Sequence, residues 1–305
     1  MVSYNLNDIL EITSNMSEHK LDKDIQTIVD ALIIILGLNV QSKAKTIKKD
    51  RNTGSGDKTW AKKEPFKVTV MEKNEGIDEK LDILRGSLNK ITKNNYESQV
   101  ESIYNCIDGI IDYNHDELDE TVKYEKILGC IFKVVTNNRV YASIYSKLYA
   151  ELLDKYILLE DYRSFFLDNY RDNLNEFDYV NPDDDYDKFC VINKINEQRK
   201  ALLAFIIHSV MIDIYSFDVI KDTMKVLFEK INQYKIVKEN VGINEEILEN
   251  VFVIVDEGKP IIMKEVSKYE IIGQITEFSK LKMADCPGFS NRMRFKCMDI
   301  LDLYK

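Results

Sequence analysis

The sequence predicts an all-α protein, a helical-repeat solenoid of about five antiparallel helix hairpins preceded by a short N-terminal adaptor arm. Three observations predict this. Only 11 Gly and 4 Pro occur in 305 residues, too few chain breakers for a sandwich or an α/β sheet with their many turns. From Ile77 onward apolar residues recur at the helical period, and no run alternates strictly. The breaks are short and divide the chain into units of about 40–50 residues, the size of a repeated helix pair. Such a pair buries its inner face only by stacking on neighbours. Irregular stripes and frequent breaks argue against a long heptad coiled coil.

Taken in order, residues 1–55 form the arm, with apolar clusters at Leu6–Ile12 and Ile25–Val40. A polar, basic stretch then ends in Thr53-Gly54-Ser55-Gly56 and reads as a linker. The array occupies residues 56–305. Its first clear stripe is Tyr96, Val100, Ile103, Ile107 and Ile110 with Ile111. Tyr124, Leu128, Ile131 and Val135 follow, then Tyr141, Tyr145, Leu148 and Leu152. Further on come Ile220, Met224, Leu227 and Ile231; Ile243, Ile247, Val251 and Val255; and Met293, Cys297, Ile300, Leu301 and Tyr304. The expected breaks are Asn137-Asn138, Asp178–Asp185, Asn240–Gly242, Gly258-Lys259-Pro260 and Pro287-Gly288. The run 201–214 is apolar nearly all round, as a helix sandwiched in mid-array should be.

Composition narrows the chemistry. Cys106, Cys130, Cys190, Cys286 and Cys297 are odd in number and form no C-x-x-C pair, so reduced thiols of a cytosolic protein are expected. His19, His115 and His208 are scattered, and His208 is expected to be a buried, hydrogen-bonded residue rather than a ligand. Asp183-Asp184-Asp185 lacks the Gly and terminal Glu of a calcium loop and reads as a solvated connector. No metal and no cofactor is expected. The start of the chain lacks a basic n-region, and the apolar run 31–38 falls short of the roughly 20 residues that span a bilayer. A soluble, cytoplasmic protein with no membrane contact is expected.

The formal charge is −10, but residues 41–73 hold ten Lys/Arg against four Asp/Glu. Lys43, Lys45, Lys48, Lys49 and Arg51 make this segment a candidate RNA contact through phosphate neutralisation, or a solvated linker. No G-x-x-x-x-G-K-(S/T), G-x-S-x-G, H-E-x-x-H or Gly-rich phosphate loop occurs, so no catalytic residue is expected.

The motif-bearing segments lie elsewhere. Trp60, the lone tryptophan, stands 25 residues before Arg85, which opens Arg85-Gly86-Ser87-Leu88-Asn89-Lys90-Ile91-Thr92, with Tyr96 beyond. Leu88 should end a helix, with Asn89 and Thr92 suited to capping a tight turn. The chain closes on Ser290-Asn291-Arg292-Met293-Arg294-Phe295 and Asp299-Ile300-Leu301-Asp302-Leu303. From local physics alone, the first string is a hairpin turn and Trp60 closes a hairpin core. Arg292 and Arg294 are then either a solvated pair beside a core Phe295 or a clamp for carboxylates.

Together these strings resemble the middle domain of eukaryotic translation initiation factor 4 gamma. In that family a Trp precedes R-x-x-L-N-K-(L/I)-T-x-x-x-(F/Y), and the domain ends in S-x-R-(I/M)-R-F…D-(V/I)-L-D-L. The resemblance implies HEAT-like repeats and a scaffold that holds the two lobes of a DEAD-box RNA helicase of translation initiation. It implies helicase contacts at Trp60, Arg85, Leu88, Asn89, Lys90 and Thr92 for one lobe, and at Arg292, Arg294 and Phe295 for the other. Tyr4-Asn5-Leu6-Asn7-Asp8-Ile9-Leu10 is similar to the family's Y-x-x-x-x-L-Φ helix that binds the cap-binding protein, with Ile9 where Leu is usual. It implies a contact through Tyr4, Ile9 and Leu10. A monomer within a heteromeric complex is expected.

Longer relatives carry a poly(A)-binding-protein site and further helical domains that this sequence does not contain. Compact scaffold and helicase-sequestering decoy are therefore both open, as are an adaptor for a helicase of RNA decay or splicing and a plain RNA-binding repeat protein.

Overall fold

The computed structural model describes residues 75–113 and 119–305. All described helices belong to one compact unit, Val70–Lys305. They are α1 (Ile77–Lys90), α2 (Tyr96–Ile111), α3 (Glu120–Val135), α4 (Ala142–Lys155), α5 (Phe165–Asn173) and α6 (Tyr186–Met211). Then come α7 (Asp218–Tyr234), α8 (Val241–Glu257), the single turn α9 (Lys259–Ile262), α10 (Lys268–Ser279) and α11 (Asn291–Leu303). Short 3-10 turns at Arg139–Tyr141, Ile157–Tyr162 and Lys238–Asn240 link neighbours. No strand occurs among the described residues, so the fold class is all-α, as the scarcity of breakers requires.

The stripes lie where the helical period puts them. Val100, Ile103, Ile107 and Ile110 of α2 are buried, as are Ile220, Met224, Leu227 and Ile231 of α7. Burying each such side chain contributes about 1.5–3 kcal/mol. Helices packing directly on each other include α1 with α2, α7 with α8, and α10 with α11, each pair adjacent in sequence. A second set of contacts runs α1 to α3, α3 to α6, α6 to α8 and α8 to α11.

The middle departs from regular hairpins. Here α4 pairs with α6 rather than with α5, because α5 has only 9 residues while α6 has 26 and its second half is apolar nearly all round. Residues 201–207 of α6 are all buried. Phe205 meets Phe166 of α5 at 4.7 Å and Tyr149 of α4 at 5.8 Å, closing an aromatic centre to the core. The run ends sooner than its hydropathy suggests, since α6 stops at Met211 and Asp213 takes a left-handed φ of 64°.

Other expectations shift. The break placed at Asn240–Gly242 falls a few residues earlier, because Val241 and Gly242 already lie in α8. Only Gly258 separates α8 from α9, since Pro260 sits in that turn's first positions, where its missing N–H costs nothing. Tyr141 lies in a 3-10 turn before α4 and is partly exposed. His208 is not fully buried: its side chain is 25% exposed and its Nε2 lies 3.3 Å from Glu257 Oε2.

Candidate partner-binding site

Two ends of the helix contact order carry the predicted residues. At the first, α1 runs on to Lys90, so Leu88 and Asn89 are helical and neither caps the helix. Leu88 is fully buried, and its carbonyl accepts from Ile91 N at 3.4 Å and from the Tyr145 hydroxyl at 3.4 Å. Its side chain belongs to the core, which corrects the expectation of a partner contact there. Asn89 and Lys90 are exposed in the last turn, where the lysine also complements the helix dipole. Arg85, one turn earlier, is 44% exposed and pairs with Asp82 at 2.7 Å.

The turn itself is organised by a residue outside the motif's named positions. Asn95 Oδ1 accepts from Thr92 N at 2.7 Å and from Thr92 Oγ1 at 2.9 Å, while Asn95 Nδ2 donates to Lys90 O at 2.9 Å. Thr92 is therefore a donor to Asn95 and not an N-cap. Close by, burial pushes the Cys130 thiol above its ordinary range, with Arg85 and Lys133 pulling it back.

At the other end, Ser290 caps α11 by accepting from Met293 N at 3.2 Å. Arg292 and Arg294 lie inside the first turns of α11 rather than flanking its start. The Ser290 hydroxyl donates to Glu245 Oε1 at 2.7 Å, and Arg292 Nη1 donates to Glu245 Oε2 at 3.1 Å. One turn on, Lys296 pairs with Glu249 at 2.9 Å and lies over the Phe252 ring. These cross-links border a groove of about 480 Å³ between α8 and α11, with Leu248 and Met293 in its lining.

Phe295 is 56% exposed at this groove, so its reading as a core residue is overturned. The Arg294 guanidinium lies 5.5 Å from that ring, and its Nε is buried without a hydrogen-bond partner. The preceding loop approaches closely: Gly288 N donates to Lys235 O at 2.8 Å, and Asn244 Nδ2 donates to Gly288 O at 2.9 Å. A Cβ on Gly288 would stand 2.4 Å from the carbonyl oxygens of Tyr234 and Val237. Only glycine fits.

Sequence reasoning missed Asn95, Glu245, Glu249 and Lys296. A signal existed for the last three, since Glu245/Glu249 and Arg292/Lys296 share the same i, i+4 spacing on two helices. Nothing local marked Asn95.

Trp60, the candidate RNA residues Lys43, Lys45, Lys48, Lys49 and Arg51, and the cap-binding candidates Tyr4, Ile9 and Leu10 lie outside the described residues. Among the described residues no cluster of His, Cys, Asp and Glu could hold a metal ion. No described helix is long and apolar enough to cross a membrane. The chain matches no family model, and no curated protein matches it at significant similarity.

Proposed function

We propose that this protein is a non-catalytic scaffold that binds a DEAD-box RNA helicase at both ends of its helical array and favours a half-open arrangement of the two lobes. The mechanism is a population shift, which requires tighter binding to that arrangement than to the others. The observation that carries the reading is the separation of two exposed, braced patches. Asn89 and Lys90 project from a turn held by Asn95, and Arg292 and Phe295 project beside the α8/α11 groove. Between α1 and α11 the helix contacts pass through α3, α6 and α8, so the patches belong to well-separated helices. Rigid presentation lowers the ordering cost of binding. The strings bearing these residues are those that resemble the initiation-factor middle domain.

The same proposal includes a cytoplasmic site of action, a bridge to a cap-binding protein through Tyr4, Ile9 and Leu10, and RNA contact through the basic segment. Affinity capture from extract of the source, followed by identification of bound proteins and an ATPase assay of the recovered helicase, tests it. Capture of a helicase whose ATPase is stimulated supports the scaffold. Capture with inhibition identifies a decoy, and absence of any helicase sinks the reading.

A further inference from the structure

The strap between α5 and α6, residues 174–185, contains no helix, yet it is pinned along its length. At its start Arg199 of α6, 2% exposed, donates Nε to Asn173 O at 3.2 Å and Nη2 to Glu176 O at 2.8 Å. The same guanidinium lies 4.2 Å from the centroid of the Phe177 ring. At its end Asp183 N donates to Asn181 Oδ1 at 3.2 Å, and Asp185 Oδ1 accepts from Lys188 N at 2.9 Å to cap α6. Between these points the Tyr179 ring lies against Gly242, the second residue of α8. A Cβ on Gly242 would run into the ring, so only glycine admits it there.

These fastenings oppose folding. The Arg199 charge is buried, and its hydrogen bonds go to carbonyls and to Asn196 Oδ1 rather than to a carboxylate. Glycine within a helix costs up to about 1 kcal/mol against alanine. What they hold in place is a side chain still 45% exposed, whose hydroxyl has no hydrogen-bond partner among the described residues. A tyrosine fixed in this way can bury a large area against a partner at small cost in conformational entropy.

The register of α8 tells which surface it borders. Gly242, Glu245 and Glu249 stand at i, i+3 and i+7, so they share one face of the helix. Glu245 and Glu249 line the α8/α11 groove, where they pair with Arg292 and Lys296. Three residues advance a helix by about 4.5 Å, which puts the Tyr179 ring at the N-terminal end of that groove.

We propose that Tyr179 is a contact residue for the helicase lobe that docks at the α8/α11 groove, with Gly242 as the positioning residue that seats its ring. The inference rests on the proposed reading of that groove. The lobe places an apolar side chain on the free face of the ring and a polar group on its hydroxyl. A contact through α11 alone would leave the lobe free to pivot about Arg292 and Phe295. An anchor from a second element fixes its orientation, which favouring one arrangement of the lobes requires.

Oxidative footprinting of the wild-type chain, free and bound to the helicase captured from the source, tests this without any variant. The Tyr179 ring should be oxidised several-fold more slowly in the complex. Tyr179→Ala should weaken helicase affinity about tenfold, and Tyr179→Phe, which keeps the ring, should recover most of the loss. Gly242→Ala should speed oxidation of Tyr179 in the free chain, because the ring is lifted from α8, and should weaken binding as well. Equal oxidation of Tyr179 in the free and bound chain, or full affinity in Tyr179→Ala and Gly242→Ala, would overturn the inference. Should Arg292→Glu still weaken binding in that case, the groove stands as a contact without the strap. Should Arg292→Glu bind as tightly as wild type too, the reading of the groove falls with the inference.

Discussion

Arg292 of α11 donates to Glu245 of α8, Nη1 to Oε2 at 3.1 Å, and the same carboxylate accepts the Ser290 hydroxyl that caps α11. A residue that resemblance assigns to a partner thus already has an intramolecular one. The Arg292 side chain is 75% exposed, however, so the pair is solvent-screened and contributes at most about 1 kcal/mol to folding. Arg292→Glu should therefore leave the denaturant midpoint nearly unchanged. It should reduce stimulation of helicase ATPase more than it reduces affinity, because the contact at α1 persists. Chemical denaturation and steady-state ATPase assays check the two halves of this expectation.

Leu88 and Asn95 separate core from contact. Leu88→Ala should cost about 2–5 kcal/mol of folding free energy through the cavity left in the core. Asn95→Ala should cost about 1–2 kcal/mol, since it removes the acceptor for Thr92 and the donor to Lys90 O. It should also loosen the presentation of Asn89 and Lys90. Urea unfolding compared with helicase affinity distinguishes the two positions: Leu88→Ala lowers stability chiefly, while Asn95→Ala lowers both.

Two glycines should respond in opposite directions. Gly288→Ala would drive a methyl group into two backbone carbonyls at 2.4 Å, and a cost of about 1–3 kcal/mol is expected. Gly86 lies inside α1, where an added Cβ would meet nothing within 4 Å. Gly86→Ala should stabilise by about 0.5–1 kcal/mol through helix propensity. Thermal unfolding of the two variants measures both.

A pH dependence is built into the junction of α6 and α8. Burial alone would raise the Glu257 carboxyl, but hydrogen bonds from His208 and Arg139 outweigh it and hold the group below its usual range. Arg139 Nε donates to Glu257 Oε1 at 2.7 Å. A carboxyl with a depressed folded-state pKa contributes stability above its unfolded value, about 4.3, and loses it as pH falls through the folded value. Glu257→Gln should therefore cost about 1–3 kcal/mol at neutral pH, the range for hydrogen bonds to a charged group. The difference from wild type should shrink steadily below about pH 4. Unfolding measured across that range gives the answer.

The fold was largely legible because helical periodicity is a strong signal over long runs. Ile220, Met224, Leu227 and Ile231 marked both the existence and the buried face of α7. The α4/α6 pairing was not legible, since apolar all-round character tells that a helix is buried but not against which neighbours. Boundaries slipped where 3-10 turns intervene, as at Lys238–Asn240, because such turns leave no periodic trace. At the candidate site, exposure decided what the motif string could not. The string treats Leu88 and Asn89 alike, yet Leu88 lies in the core and Asn89 faces solvent. Phe295 defied the usual preference of phenylalanine for the interior, because the α11 stripe Met293, Cys297 and Ile300 already fills the buried face. The burial of Cys297, whose thiol is pushed up to about 12, reflects that same face.

The most direct measurement is calorimetric titration of the full chain with the DEAD-box helicase recovered from its source, comparing wild type with Asn89→Ala combined with Lys90→Ala. Both side chains are exposed, so circular dichroism should be unchanged. Affinity should fall by about 1–3 kcal/mol, the range for a few polar anchors at the centre of an interface. Equal affinity of the two proteins, with intact folding, would contradict the proposed scaffold.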